Sequence, residues 1–549
     1  MKYKILILLF SLTLMFTYIH TCFAYECPEY IKIGLFYNKT AVNSVKVNFN
    51  NGVDAGFEDA EGYFTPLFYS NVIKNITFQK PSAYRLKALY KYDTYSEAYL
   101  RAEEIRASDI CASVVFDNGY YVYIGSYENA ETAKAAVGRL TEIYGGGYET
   151  VAPSANAVEL CADESSNPFF IFVQSNEWYL LCNPIGDDEG RISVNGTQYR
   201  GSLMIKRLSN SDMTVINKVK INHYLYSVIG GEISSSWHTE ALKTQAIVSK
   251  SFALSNMNKF KKYGFNLDAT TNSQVYFGTS KEDAKTREAV DAVDGKVVLY
   301  NGKPAETIFG AMSGGKTENS SLVWGGSEIP YLMGITDEYE DTDNLNHKYA
   351  IWQTELTAEQ IKSKLASRSI NIGDILDVQA LEYTPSDRVY KLKITGTDGE
   401  HIFERESTRT AFGLNSQMYK VYKKGEAVSK DIYTAEDNVF KVLDLFGTRS
   451  VTVNNSKVLT GNGIADFSGA KAYVLTENGT QAIDTQTITS TTETFFEVDP
   501  NAPLTFVFDG RGWGHGVGLS QYGAKHMAEK GFTYDEIVKY YFPGTTISD

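Results

Sequence analysis

The chain opens with strand-like alternation. Apolar residues recur at every second position in Ile31–Tyr37 and again in Val45–Phe49, and Asn50-Asn51-Gly52 supplies a turn after the second run. The period then changes. Tyr95–Arg106 is helical in spacing, Ile110–Phe116 reads as a strand, Asp117-Asn118-Gly119 as a hairpin turn and Tyr120–Gly125 as the return strand. Asn129 leads a helix over Glu131–Tyr144, which Gly145-Gly146-Gly147 closes. Ser166–Asn217 is strand-rich, with Asn195-Gly196 as a hairpin turn, and Asn222 begins a short helix. Leu242, Ala246, Ser249, Ala253 and Met257 recur at helical spacing with mostly small side chains, which predicts a tightly packed helix ending near Lys261-Lys262-Tyr263-Gly264. Val297–Tyr300 and Ala305–Phe309 flank Asn301-Gly302 as a hairpin, and Leu356–Leu365 reads as a helix with Thr357 as its cap. Residues 425–500 alternate again and are rich in Thr, Val, Asn and Gly. Ser520–Lys530 is helical up to Gly531, and Thr533-Tyr534-Asp535-Glu536 is a capping box for a last helix that Pro543-Gly544 ends.

These elements predict an α+β protein. A short β-rich segment covers 25–75, a small ferredoxin-like α+β module 76–150, and a large mixed domain of strands and a few helices 155–549, with a strand-rich insertion at about 425–500. A length of 549 residues is enough for two or three domains. The 38 tyrosines and 29 phenylalanines serve strand packing first, and tyrosine also suits carbohydrate surfaces. A net charge of −14 argues against nucleic acid as a partner and leaves no basic patch for membranes or phosphates. Lys2 and Lys4, the apolar run Ile5–Ile19 and Cys22-Phe23-Ala24 read as a signal peptide over 1–24, cleaved after Ala24, which makes the protein exported. An uncleaved membrane anchor is the alternative, although the apolar run is short against the roughly 20 residues a span needs. Cys27, Cys111, Cys161 and Cys182 follow the signal; an oxidising compartment permits disulfides among them, and three pairings are open. No C-x-x-C pair is present, so a cysteine zinc site is not expected.

Candidate chemistry sits at two places. Near the C-terminus, Gly510, Gly512, Gly514, Gly516 and Gly518 alternate with Arg511, Trp513, His515 and Val517. Alternate glycines allow positive φ and close approach, so this stretch reads as a tight loop presenting an arginine, an indole and an imidazole. Earlier, Glu232 follows Gly230-Gly231 and lies among Val228, Ile229 and Ile233, in the loop expected before the long helix. Partial burial would raise the pKa of such a carboxyl, as a general acid needs; from spacing alone it reads equally as a cap at the helix start. Glu240 is a favourable charge at the positive end of that helix. Gly310–Thr317, G-A-M-S-G-G-K-T, satisfies the phosphate-loop pattern letter for letter, but no amphipathic helix follows it, so ATP is not expected. G-L-S-Q-Y-G (Gly518–Gly523) is not a nucleophile elbow, because Tyr522 holds the last glycine's place, and there is no H-E-x-x-H.

The stretch Gly510–Ala524, G-R-G-W-G-H-G-V-G-L-S-Q-Y-G-A, resembles the end of the stage II sporulation protein D family, in which a methionine stands where this chain has Leu519. The Glu232 segment resembles that family's G-E-M-P followed by E-A-L-K-A-Q-A, with Ile233 and Ser234 in place of the methionine and proline. Thr270–Gly278 is similar to its S-Q-V-Y-x-G, Ser313–Gly326 to its S-S-G-G-x-T-E … V-W-G-G, and Ser407–Ser416 to its arginine-bearing segment. Tyr120–Leu140 resembles half of a sporulation-related repeat domain, a module that binds glycan strands stripped of stem peptides; a generic ferredoxin-like spacer is the alternative.

The resemblance implies a lytic transglycosylase without a cofactor, whose catalytic cleft lies in the large domain. Glu232 would protonate the oxygen between N-acetylmuramic acid and N-acetylglucosamine, then take the proton of the muramic C6 hydroxyl as an anhydro ring closes. One carboxyl group can serve both steps, whereas ordinary glycosidases use two. By position in the motifs, His515, Arg511, Ser520, Gln521 and Tyr522 would bind sugar, with Gln274, Tyr276, Ser313 and Thr317 on the opposite wall. Some members of the family hold zinc through a histidine and cysteines; between His238 and His347 this chain has neither residue, so no metal is expected. The competing implication is a non-catalytic wall protein that binds glycan and recruits or stimulates an N-acetylmuramoyl-L-alanine amidase.

Overall fold

A computed structural model describes residues 25–548, except 164, 176, 187–189, 208–210, 343–347 and stretches within 425–501, where only the strand backbones are described. The signal-peptide expectation, residues 1–24, lies outside the described residues. Among the described residues no helix is long and apolar enough to cross a membrane. The chain forms two compact units. The first takes in the described part of Met1–Thr307 with Phe532–Glu536 and Thr545–Asp549; the second is Ile308–Gly531 with Ile537–Gly544. The class is α+β, with 24% helix and 35% strand.

Two large sheets build the first unit. A seven-stranded sheet runs, in spatial order, Leu267–Asp268, Tyr30–Phe36, Thr214–Lys220, Ser202–Lys206, Tyr179–Pro184, Val53–Glu58 and Phe64–Ser70. A ten-stranded sheet carries Ser44–Phe49 and Asn75–Gln79 in one half. Its other half ends with Ala112–Phe116, Tyr120–Tyr127, Tyr84–Ala88 and Tyr148–Val151. Val53, Leu180 and Leu203 of the smaller sheet share one core with Val45, Phe78, Val114 and Phe170 of the larger. Ala98, Ala102 and Ile105 of the helix Tyr95–Arg106 and Ala133 and Leu140 of the helix Ala130–Tyr144 close the same core.

Residues 84–151 therefore follow the order β-α-β-β-α-β with four antiparallel strands. The boundary expected near 150 does not divide two sheets. Phe170–Val173 pairs in parallel with Ala112–Phe116, and the opening segment over 25–75 supplies strands to both sheets instead of standing alone. Likewise, the expected domain over 155–549 is split between the two units at Thr307. Cys27, Cys111, Cys161 and Cys182 are all free thiols, so no pairing is made.

The local signals of turns and caps hold. Asn118 and Gly119, Asn195 and Gly196, and Asn301 and Gly302 all have positive φ, as tight hairpins demand. Asn129 and Thr357 cap their helices. The long helix is shorter than its periodicity predicts: it spans Thr239–Ser255, and a separate 3-10 turn, Lys261–Tyr263, precedes Gly264.

In the second unit, Ile351–Thr357, Thr505–Arg511 and Tyr419–Lys423 form one antiparallel sheet and Ile375–Tyr383, Val389–Gly396 and Gly399–Glu404 another. Their core joins Trp352, Phe412, Phe506 and Phe508. Between 430 and 492 lie the strands Lys430–Glu436, Val439–Asp444, Gly447–Thr452 and Thr489–Thr492, which form a sheet of their own, and two further hairpins.

Two glycines in helices give opposite expectations. A Cβ on Gly138 meets nothing within 4 Å, so Gly138→Ala should raise stability by about 0.5–1 kcal/mol. A Cβ on Gly230 would sit 1.9 Å from the Lys281 carbonyl oxygen, so Gly230→Ala should cost about 2–3 kcal/mol. Urea unfolding of both variants measures the contrast.

Candidate functional site

In the first unit Glu232 is the last residue of the helix Ile221–Glu232, not part of a loop, and six residues separate it from Thr239, where the next helix starts with His238 as its cap. The helix-start alternative is thereby removed. Gly230-Gly231 reads as a break because glycine is a poor helix former, but here it lets another segment close in. The Lys281 carbonyl packs on Gly230, and the Phe277 ring and Val275 carbonyl on Gly231. Glu232 is half-buried next to the buried Ile229 and Ile233. Phe277, which the sequence reading passed over, leaves its ring 42% exposed beside this turn.

Gln274 and Tyr276, expected as sugar-binding groups, are buried. The Tyr276 hydroxyl donates to Asn217 Oδ1 at 3.0 Å, and Gln274 Oε1 accepts from the Tyr224 hydroxyl at 3.2 Å. Both side chains prop the loop that packs on Gly230-Gly231. Asp268 anchors the start of that loop: its Oδ2 accepts from Tyr37, Thr270 and Asn272 at 3.0, 2.8 and 3.1 Å, and these bonds hold its carboxyl below the usual range against the opposing effect of burial.

In the second unit, Gly512, Gly514, Gly516 and Gly518 all have positive φ, the conformation that their alternation predicts. Gly510 does not; there a side chain would strike the Trp352 ring at 2.2 Å. The Ser313-Gly314 turn and Ser520 meet on one buried carboxylate that the sequence did not reveal. Glu340 Oε2 accepts from the Ser313 N–H, the Ser313 hydroxyl and the Ser520 hydroxyl, each at 2.7 Å, and Oε1 accepts from the Gly314 N–H at 2.6 Å. Two N–H groups of the phosphate-loop look-alike are thus taken by the protein's own anion. Thr317 is also structural: its hydroxyl oxygen accepts from the Ile335 N–H at 2.9 Å. Arg388, fully buried, donates to the Ser313 and Lys316 carbonyls at 2.5 and 2.8 Å.

Of the other expected sugar-binding groups, Gln521 is buried, and Arg511, His515 and Tyr522 are half-buried. His515 Nδ1 accepts from the Val517 N–H at 3.0 Å, and burial pushes its pKa down to about 4, so the ring is neutral at physiological pH. Trp324 stands edge-on to it with ring centroids 5.0 Å apart. Nothing in the sequence singles out Glu340, Asp337 or Arg388, because their partners are distant in the chain and Glu340 sits in an acidic run that reads as solvated surface.

The family model described as Stage II sporulation protein matches residues 209–300, which include Glu232, Gln274 and Tyr276. A second model, described as a domain of unknown function, matches residues 347–436. Among curated proteins, Stage II sporulation protein D of Bacillus subtilis is 28% identical over 63% of this chain and 79% of its own length. The Amidase enhancer of the same organism is 28% identical over 65% of this chain but only 45% of its own length. An uncharacterised protein of Brachyspira hyodysenteriae is 26% identical over 69% of this chain and 82% of its own length.

Two expectations follow from the buried acids. Glu340→Gln should leave donors facing an amide N–H₂ and cost about 3–5 kcal/mol in urea unfolding. Asp337, beside Glu340, has its pKa raised to about 7 by burial and by the Glu340 charge. Between pH 4 and 7 the folded chain keeps this proton while the unfolded chain loses it, so the group makes stability fall as pH rises. The melting temperature of Asp337→Asn relative to wild type should therefore shift in the variant's favour from pH 5 to pH 8.

The matched domain over residues 209–300, the relatives and the four-glycine loop agree in one likeness: this chain is similar to the stage II sporulation protein D family.

Proposed function

We propose that this protein is an exported peptidoglycan lytic transglycosylase, cleaving between N-acetylmuramic acid and N-acetylglucosamine in peptide-stripped strands. The observation that carries this reading is the placement of Glu232. It ends a helix, where the dipole disfavours negative charge, and it is half-buried between Ile229 and Ile233 yet open to solvent. A group so placed can hold a proton for the glycosidic oxygen and afterwards accept one from the C6 hydroxyl. The reaction needs no second carboxylate to activate water, because the attacking hydroxyl belongs to the substrate.

The β-α-β-β-α-β order of residues 84–151 is that of a ferredoxin-like unit. With the sequence likeness to a sporulation-related repeat, it supports a glycan-holding role for this part of the chain. Export rests on the residues of the leader, and the sporulation and cell-wall names of the relatives agree with an extracytoplasmic site of action.

The relative named Amidase enhancer favours a second reading, in which the protein binds the wall and stimulates an amidase without cutting glycan. Mass spectrometry of products from denuded peptidoglycan separates the two. The lyase reading expects 1,6-anhydromuramic ends from the wild type and none from Glu232→Gln. Hydrated reducing ends lost in the variant would make the protein a hydrolase. No cleavage by either, with amidase stimulation unchanged by the substitution, would replace the lyase by the enhancer.

A further inference from the structure

The chain has five tryptophans. Trp352 is buried and Trp178 and Trp237 are half-buried; Trp324 and Trp513, at 44% and 40%, are the exposed ones among the described residues. Both lie beside His515 in the second unit. Trp513 precedes it by two residues in the glycine loop, and the Trp324 ring stands 5.0 Å from its imidazole.

Each exposed indole is held in place. Trp324 ends the short helix Ser320–Trp324, and Gly325, with φ 81°, turns the chain away after it. Its Nε1–H donates to Glu406 Oε2 at 2.6 Å, and Glu406 is itself fixed by Arg409 at 2.6 Å. Trp513 exchanges backbone hydrogen bonds of 2.9 and 3.2 Å with Met312, and its ring packs on Tyr349 with centroids 4.7 Å apart. Tyr349 in turn meets Tyr522 at 5.8 Å. An exposed aromatic ring that is already immobile loses little entropy when a ligand covers it.

We infer that Trp324 and Trp513 are a pair of sugar-stacking subsites around His515 that take N-acetylhexosamine rings. This rests on the glycan reading given above and adds the residues that grip the strand. A pyranose ring has an apolar C–H face and a polar rim. The fixed indole faces match the former, and Glu406, Arg409 and the neutral His515 supply partners for the latter. Glu406 beside Trp324 and the net charge of −14 oppose a polyphosphate such as single-stranded nucleic acid, which also stacks on aromatic rings but carries a charge on every residue.

The test uses the full chain carrying Glu232→Gln, so that ligand is not consumed, and N-acetylglucosamine pentamer as the probe, titrated by calorimetry. Trp324→Ala and Trp513→Ala should each weaken binding about tenfold, as loss of an aromatic anchor does. Phenylalanine at either position should restore most of the affinity. Glu406→Ala keeps the Trp324 ring but frees it, and should weaken binding less than Trp324→Ala. Melting curves establish that each variant is folded; if an alanine variant is not, the phenylalanine variants and Glu406→Ala decide. Unchanged affinity for pentamer and for denuded strands in folded variants overturns the inference while the glycan reading stands. A parent protein that binds neither ligand removes the glycan reading itself. If that parent instead binds a purified amidase in a tryptophan-dependent way, the surface is a protein-docking one and the inference falls.

Discussion

The second unit depends on one buried carboxylate. Glu340, 6% exposed, accepts four hydrogen bonds from two stretches of chain, the Ser313-Gly314 turn and the start of the helix Gln521–Glu529. A buried charge is tolerated only when it is fully satisfied, so the two stretches are as fixed as the charge is costly to expose. Arg388 completes the arrangement from the carbonyl side, holding Ser313 and Lys316. It fits because Gly516 has no side chain: a Cβ there would lie 2.0 Å from its guanidinium. The glycines of the C-terminal stretch thus do two jobs, turning the backbone and making room for a buried cation.

The same logic governs the first unit on a smaller scale. Gly230 and Gly231 allow the loop through Val275, Phe277 and Lys281 to lie directly on the helix that ends in Glu232. Asp268, Gln274 and Tyr276 stiffen that loop from within. Residues of a motif accordingly divide into those that face solvent and those that hold them. Glu232, Phe277, Trp324 and Trp513 belong to the first group. Gln274, Tyr276, Ser313, Thr317 and Ser520 belong to the second, although hydroxyl and amide side chains in a motif invite a sugar-binding reading.

What was legible in the sequence was local. Asp117-Asn118-Gly119 and Asn301-Gly302 make their turns because their φ preferences act within two or three residues. The helix Tyr95–Arg106 and the capping of Ala130–Tyr144 by Asn129 were equally readable. Strand partnership was not, since Phe170 pairs beside Val114 for reasons of long-range packing that no window of sequence contains. The end of the Glu232 helix is hidden from a local reading for a related cause. Glycine propensity opposes helix there by about 1 kcal/mol per residue, and a loop some fifty residues later overrides it. Glu340 was invisible on the same grounds: its partners are 26, 27 and 180 residues away.

This division bears on how a lyase and an amidase-stimulating protein could share one family. Glu340 and Arg388 in the second unit, and Asp268 in the first, hold their loops whatever the loops then do, and indoles of the proposed sugar-stacking kind would serve a protein that cuts the strand and one that only binds it. Loss of catalysis would need no change in the frame or in the gripping surface. On the proposed lyase reading it would need only the replacement of one half-buried carboxyl group at a helix end, Glu232. The chemical difference between the two readings is therefore concentrated at Glu232, and the residues that set its helix end, Gly230 and Gly231, are the ones whose alteration would confound the comparison by moving the carboxyl group instead of removing it.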